Sequence, residues 1–341
     1  MLKDRMIRFG IIGCGAVTEI AYLPCFKRER SFKLTCIVDE DESRARSLAR
    51  GLDLYYVGKD IEPIYKHVDV VIVAVPNHLH FLIANQCLEA GKHVLCEKPL
   101  AITSDECSKL LSSAKRFNVK LAVAHVRRFY QIARIIKRIV DSRELGDLVS
   151  FDFEEGTIFN WPTVTGYIFD KAKAGGGVLM DIGVHVLDLL LWWHPYEINS
   201  VDYGDDSLGG LEAYAKLHVI FSNGTEGRVK VSRLSALRNR YKLIFENGVV
   251  EVEPLVWDPL ISKRIHVTKF SETRKKLIKI KKEFPILDLL SDFVSAVRYD
   301  DYPLASGEDG LKVIQVIERC YSARRLLPLG WLLSTADASC D

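Results

Sequence analysis

The segment Val68-Asp69-Val70-Val71-Ile72-Val73-Ala74-Val75 constrains the fold more than any other part of the chain. A run this rich in Val and Ile, with almost no polar alternation, suits only a strand covered on both faces. Such strands belong to parallel sheets with helices above and below. The flanking sequence agrees, because residues 7–12, 33–38, 93–96 and 120–124 read as further strands, with helical stretches at 81–90 and 104–117 between them. This alternation predicts an α/β fold with a doubly wound parallel sheet over residues 1–125. In such sheets ligands gather outside the carboxyl ends of the strands. Gly13, Asp39, residues 76–80, residues 97–99 and His125 all fall at those ends, so distant segments are expected to line one crevice.

The first of these ends carries a turn built for a phosphate. Strand 7–12 runs directly into Gly13-Cys14-Gly15-Ala16-Val17-Thr18 and then a helical stretch. The first glycine permits the tight turn, and the second lets the backbone approach a pyrophosphate facing the free amides of the helix start. Thr18 stands where a third small residue belongs, which predicts a slightly wider packing of helix on strand. Asp39 ends the second strand at the place of a ribose-binding carboxylate, which favours NAD over NADP. Glu40, Asp41 and Glu42 add to the same field, whereas Arg44 or Arg46 folded back over the ribose would admit NADP. Asp39 is also suited to capping the helix that follows, and the two roles are compatible.

With 341 residues and 48% apolar content, the chain exceeds one comfortable core and is expected to form two domains. Its 47 basic and 45 acidic side chains leave a net charge of +2, too small a field to hold nucleic acid or an anionic membrane. Residues 186–193, the densest apolar run, are cut by Asp188, and the N-terminus enters its first strand without an apolar targeting segment; the expectation is a cytoplasmic protein with no membrane partner. The eight cysteines include no Cys-x-x-Cys pair and read as reduced, small hydrophobes.

Beyond residue 125 the periodicity changes. A helix at 130–142 precedes alternating strands at 148–154, 211–221, 225–233, 241–246 and 249–253, with Asn223-Gly224 and Asn247-Gly248 as hairpin turns. This predicts a second, α+β domain over 126–330 with an open, mainly antiparallel sheet. In 211–221 one face carries Ala213, Ala215, Leu217, Val219 and Phe221, and the other carries Tyr214, Lys216, His218 and Ile220. A mixed outer face of that kind suits contact with a second copy. Ser306-Gly307-Glu308-Asp309 reads as the capping-box start of a helix through 325 that packs near the first domain, and 331–341 as a tail.

Two motifs carry chemistry. Lys98, between Glu97 and Pro99 at a strand terminus, either snorkels to solvent or serves an anion or a reaction. Within Gly175-Gly176-Gly177-Val178-Leu179-Met180-Asp181-Ile182-Gly183-Val184-His185-Val186-Leu187-Asp188, three glycines allow close approach of a ligand or another backbone. Asp181, His185 and Asp188 would share one face of an α-helix. Such a stripe is a satisfied core network, a catalytic pair or, with too few ligands nearby to recommend it, a zinc site. The stripe is expected to hold no metal.

Taken together, Gly13-x-Gly15, Pro76-Asn77-His78-Leu79-His80, Glu97-Lys98-Pro99, Arg128-Phe129 after His125, and the glycine triplet leading to Asp181-x-x-x-His185 resemble the glucose-fructose oxidoreductase / inositol dehydrogenase / MocA (Gfo/Idh/MocA) family over about residues 6–326. Thr18, and Gln131 where many members have proline, depart from its pattern. The resemblance implies a Rossmann domain, an open-faced sheet that mediates a homodimer or homotetramer, and NAD(P)-dependent oxidation or reduction of a sugar-like alcohol or ketone. It also implies that Lys98, Asp181 and His185 are the catalytic set and that Lys98-Pro99 is cis. The expected cofactor-contacting residues are Gly13, Gly15, Ala16, Val17, Asp39, Pro76, Asn77, His80, Glu97, Lys98 and Arg128.

Hydride transfer from a secondary alcohol needs an acceptor for the hydroxyl proton. His185 suits this, with Asp181 orienting its ring, and Lys98 would hold the same oxygen; a Lys98 of lowered pKa would serve as the base instead. For the substrate, His125, Trp161 and Tyr167 are candidates, aromatic faces being suited to sugar rings. Arg233, Arg238 and Arg240 suit either a nucleotide-sugar phosphate or solvent, and the basic run 274–282 reads as an exposed face.

Overall fold

The computed structural model describes residues 5–207, 209–258, 260–261, 263–271, 276–280 and 283–328. The tail 331–341 and both ends of the basic run 274–282 lie outside the described residues, while residues 276–280 of that run form a strand. Two compact units emerge, and neither is continuous in sequence. The first comprises Met1–Tyr130, Trp161–Gly175 and Glu283–Gln315; the second comprises Gln131–Asn160, Gly176–Lys282 and Val316–Asp341.

Among the described residues the first unit contains a six-stranded parallel sheet in the order Tyr56–Gly58, Phe32–Val38, Ile7–Ile12, Val70–Val73, His93–Cys96, Leu121–Val123. Chain order reverses between Ile7–Ile12 and Val70–Val73, and that reversal opens the crevice of a doubly wound sheet. The strand Val70–Val73 is buried throughout, as its composition requires. Phe9, Phe26 and Phe32 pack edge-on and tilted at 5.3–5.6 Å beneath the sheet, joined by Leu289, Leu290 and Phe293 of the helix Pro285–Tyr299. That helix, opening on Pro285 in its first turn, was not expected from the sequence.

Two local differences bear on the crevice. Residues 77–80 are the first turn of the helix Asn77–Glu89, with Pro76 as its N-cap, so the helix expected at 81–90 begins four residues earlier and the strand end presents a helix start. Asp41, and not Asp39, caps the helix Glu42–Leu48, its carboxylate accepting from the amides of Ser43 and Arg44. This frees Asp39 for another task.

The second unit contains a nine-stranded mixed sheet among the described residues, running Lys276–Ile280, Lys263–Lys269, Gly248–Val252, Arg240–Phe245, Leu148–Gly156, Glu226–Ser232, Tyr214–Phe221, Ile198–Asp205, Arg325–Leu326. Neighbours are antiparallel except Leu148–Gly156 with Glu226–Ser232 and Ile198–Asp205 with Arg325–Leu326. Ala215, Leu217, Val219 and Phe221 are buried, and Lys216 on the other face is exposed, so the alternation assigns the faces correctly. On the inner face Trp193 stands edge-on to Phe153 and Tyr241 and donates its indole N–H to the Ala133 carbonyl at 3.0 Å. This pins the helix Val184–Trp193 to the sheet.

By length and composition alone the stretch Lys171–Trp193 would pass for a membrane span, against the expectation of no membrane partner, but its helical turns are interrupted at residues 175–177. It is a core segment, 72% of its most apolar window being buried inside the protein. Cys14, Cys25, Cys36, Cys87, Cys96, Cys107 and Cys320 are free thiols, all buried.

Candidate active site

In the first unit the glycine turn is sterically compulsory. Gly13 has φ +103°, and a Cβ there would lie 2.2 Å from the Ala74 carbonyl oxygen of the neighbouring strand end. The position of a Cβ on Gly15 meets nothing within 4 Å, which leaves open space where a backbone can approach a pyrophosphate. Thr18 compensates for the missing glycine. Its side chain is fully buried and its hydroxyl donates to the Gly13 carbonyl at 2.6 Å, while residues Thr18–Tyr22 form a π-helical turn that accommodates it.

Asp39 lies beside that turn, accepting from the Cys14 amide at 2.6 Å and the Asp41 amide at 2.9 Å. Arg44 folds back onto the same loop, donating from Nε to the Cys14 carbonyl at 2.5 Å and pairing with Glu19 at 3.0 Å. Arg46 instead pairs with Glu42 on its own helix. A carboxylate and a guanidinium thus flank one turn, and the residues present fit the ribose and pyrophosphate of a dinucleotide.

At the next strand ends the groups interlock. His80, almost fully buried, places one ring nitrogen 2.6 Å from the Pro99 carbonyl and the other 2.9 Å from the Val75 carbonyl, bridging two of the expected cofactor segments. Burial lowers its pKa to about 4, so the ring is neutral and its single N–H donates to one of these two carbonyls. The Lys98-Pro99 bond is cis. Burial pushes the Glu97 carboxyl up, against the Tyr22 hydroxyl donating at 2.6 Å and the charge and amide of Lys98. The Lys98 charge also acts on His125, a buried ring whose pKa is driven well down by burial first and Arg128 second. Arg128 pairs with Asp309 at 3.1 Å and donates to the Leu304 carbonyl at 2.7 Å. Asn77 donates to the Ala174 carbonyl at 2.8 Å and accepts from the Tyr167 hydroxyl at 3.3 Å, while Trp161 is half exposed.

The second unit carries Asp181 and His185. A π-helical turn at Leu179–Gly183 carries Asp181 and precedes the α-helix Val184–Trp193, which carries His185 and Asp188; Asp181 and His185 are half-buried and Asp188 is fully buried. Asp181 forms an ion pair with Arg233, whose guanidinium stacks 4.4 Å over the Phe159 ring. Arg238 and Arg240 are engaged by Glu253 and by Asp152. Among the described residues no group of three or more His, Cys, Asp or Glu side chains is gathered as for a metal. No periodic signal marks Tyr22 or the Arg233 pairing, since both partners come from distant segments.

The comparisons agree with this geometry. The profile described as an oxidoreductase family with an NAD-binding Rossmann fold matches residues 7–125, and the GFO/IDH/MocA C-terminal domain matches 133–251. An uncharacterized oxidoreductase, ORF334, from Rhizobium meliloti is 29% identical over 70% of this chain and 72% of its own. The glucose-6-phosphate 3-dehydrogenase of Bacillus subtilis is 29% identical over 58% of this chain, the match spanning 55% of that enzyme. A solved aldose-aldose oxidoreductase from Caulobacter crescentus, complexed with glycerol, superposes with a TM-score of 0.85 at 23% identity, over 94% of this chain and 97% of that one. With the glycine turn, the reversed strand order and the mixed sheet all in place, the chain belongs to the Gfo/Idh/MocA family of NAD(P)-dependent oxidoreductases.

Proposed function

We propose that the protein transfers a hydride between a nicotinamide and a secondary alcohol or ketone carbon of a sugar, polyol or nucleotide sugar, with Lys98, Asp181 and His185 as its catalytic set. The observation that carries the reading is Lys98 just beyond the parallel strand His93–Cys96, set between Glu97, which accepts from the Tyr22 hydroxyl, and Pro99, whose carbonyl meets the buried His80 ring. The bound nicotinamide supplies the hydride acceptor or donor. Asp39 would hold the adenosine ribose, and the Gly13–Gly15 turn would receive the pyrophosphate. Lys98 holds the reacting oxygen, favouring alkoxide in oxidation and polarising the carbonyl in reduction. His185 takes or returns the hydroxyl proton, and Asp181 stabilises the imidazolium.

NAD is the preferred cofactor because Asp39 faces the turn, and Arg44 on the same turn supports some use of NADP. The acceptance of a sugar phosphate by the Bacillus relative and the aldose in the name of the Caulobacter protein support a carbohydrate substrate. The outer face of the nine-stranded sheet would meet a second copy.

Fluorescence titration with NADH and NADPH tests cofactor binding. Turnover is then measured on a panel containing glucose 6-phosphate, a free aldose, a cyclic polyol and UDP-N-acetylglucosamine, and repeated on Lys98→Ala. The expected result is tighter NADH binding and a loss of at least about 100-fold in kcat for the variant. A variant as active as the parent overturns the catalytic assignment.

A further inference from the structure

Glu212 is almost fully buried, and burial raises its carboxyl above the usual range against the hydrogen bonds it accepts. Its position in the second unit explains that cost. One carboxylate oxygen accepts from the amides of Gly177 and Leu179, both at 3.0 Å, and its backbone carbonyl accepts from the Val178 amide at 2.7 Å. Three consecutive amides at the start of a helical run are thereby satisfied by one residue distant in sequence. The Gly177 carbonyl in turn accepts from the Asp181 amide at 3.1 Å, so the anchoring passes directly to Asp181.

The glycines exist for this contact. A Cβ on Gly177 would lie 2.0 Å from the Glu212 carbonyl oxygen, and one on Gly176 would lie 2.0 Å from the Tyr321 hydroxyl. Tyr321 donates to the same Glu212 oxygen at 2.7 Å, and Arg324 approaches the other at 3.4 Å while pairing with Asp205 at 2.7 Å. The adjoining residue contributes too: the Ala213 carbonyl accepts from the backbone amide of Arg233, the arginine paired with Asp181.

We propose that Glu212 is a positioning residue of the reaction, fixing through the amides of Gly177–Leu179 the turn that carries Asp181 and leads into the helix of His185. The inference rests on the catalytic reading of Asp181 and His185 given above.

The test compares Glu212→Ala, Glu212→Gln and Tyr321→Phe with His185→Ala, using NAD and the best-turned-over sugar of the panel. Glu212→Ala should speed amide exchange in the peptide covering 177–181 and lower kcat about 10- to 100-fold, with NADH affinity unchanged because the dinucleotide residues belong to the other unit. Glu212→Gln keeps the carbonyl acceptor and should restore both exchange protection and most of kcat. If Glu212→Ala does not fold, Tyr321→Phe should show the same pattern at smaller amplitude. Unchanged exchange and unchanged kcat in Glu212→Ala, or in Tyr321→Phe where that stands in, overturn the proposal, as does a fall in NADH affinity that accounts for the lost turnover. Full activity in His185→Ala overturns the catalytic reading instead, and the exchange data still judge the anchoring.

Discussion

The two sheets bury charge in opposite ways. The parallel sheet is apolar through its strands and keeps polar groups at its carboxyl ends, where Asp39, Glu97 and Arg128 are held by an amide, a hydroxyl and a counter-charge. The mixed sheet spreads polar groups over its outer face, as in the Lys230–Glu154 pair at 2.8 Å and the His218–Glu226 pair at 3.2 Å. A parallel strand has two covered faces and can offer a polar side chain only beyond its end. An antiparallel strand exposes every second residue, so charge there is cheap and function must come from elements laid on the inner face, such as the run carrying Asp181 and His185.

The sharpest break in this contrast uses one substitution twice. Ile72→Asp places a carboxylate in a strand with no exposed face and should cost more than about 4 kcal/mol, with no folded protein recovered. Ile244→Asp, on the outer face of the other sheet, is the comparison at the small end.

Next in size is Asp309→Asn, which leaves the Arg128 guanidinium, itself 3% exposed, without its counter-charge. A loss of about 3 kcal/mol is expected by chemical denaturation. Burial alone would raise the Asp309 carboxyl, but the charge and hydrogen bond of Arg128 outweigh it and hold the group below the usual carboxylate range. A depressed native value means the contribution is full above the unfolded value of about 3.9 and is lost as pH falls through the lower native one. Parent and variant should therefore differ at neutral pH and converge in acid.

Asp39→Ala removes the acceptor of the Cys14 and Asp41 amides, both partly solvated, and should cost about 2 kcal/mol of stability. It should weaken NADH binding more than NADPH binding, because Arg44 stays on the turn. Equal weakening of both would detach Asp39 from cofactor choice.

The smallest effect is expected from Ile244→Asp, at most about 1 kcal/mol on the fold. It should still shift a self-associated species toward monomer in sedimentation, and an unchanged mass would remove the outer face from the proposed contact between copies.

Much of the first unit is legible in sequence because its signals are local. The uninterrupted Val/Ile run at 70–73 requires two covered faces, Gly13 requires a positive φ, and Ser306 with Asp309 closes a capping box three residues apart. The outer and inner faces of 214–221 follow from period-two alternation for the same reason. The helix Pro285–Tyr299 and the strands Ile198–Asp205 and Lys263–Lys269 escape because their patterns are short or mixed and take their meaning from neighbours.

The sequence by itself determined the class of fold, the glycine turn and the residue types at the strand ends, since these depend on steric limits and hydrophobic period within a few residues. Only tertiary structure decided that Asp41 caps the helix while Asp39 turns to Cys14, that Arg44 folds onto the loop, that Asp181 takes Arg233, and that the glycine triplet admits Glu212. Each of those outcomes is a choice among several partners of similar chemistry, and a buried polar group accepts whichever partner the packing brings within hydrogen-bond distance.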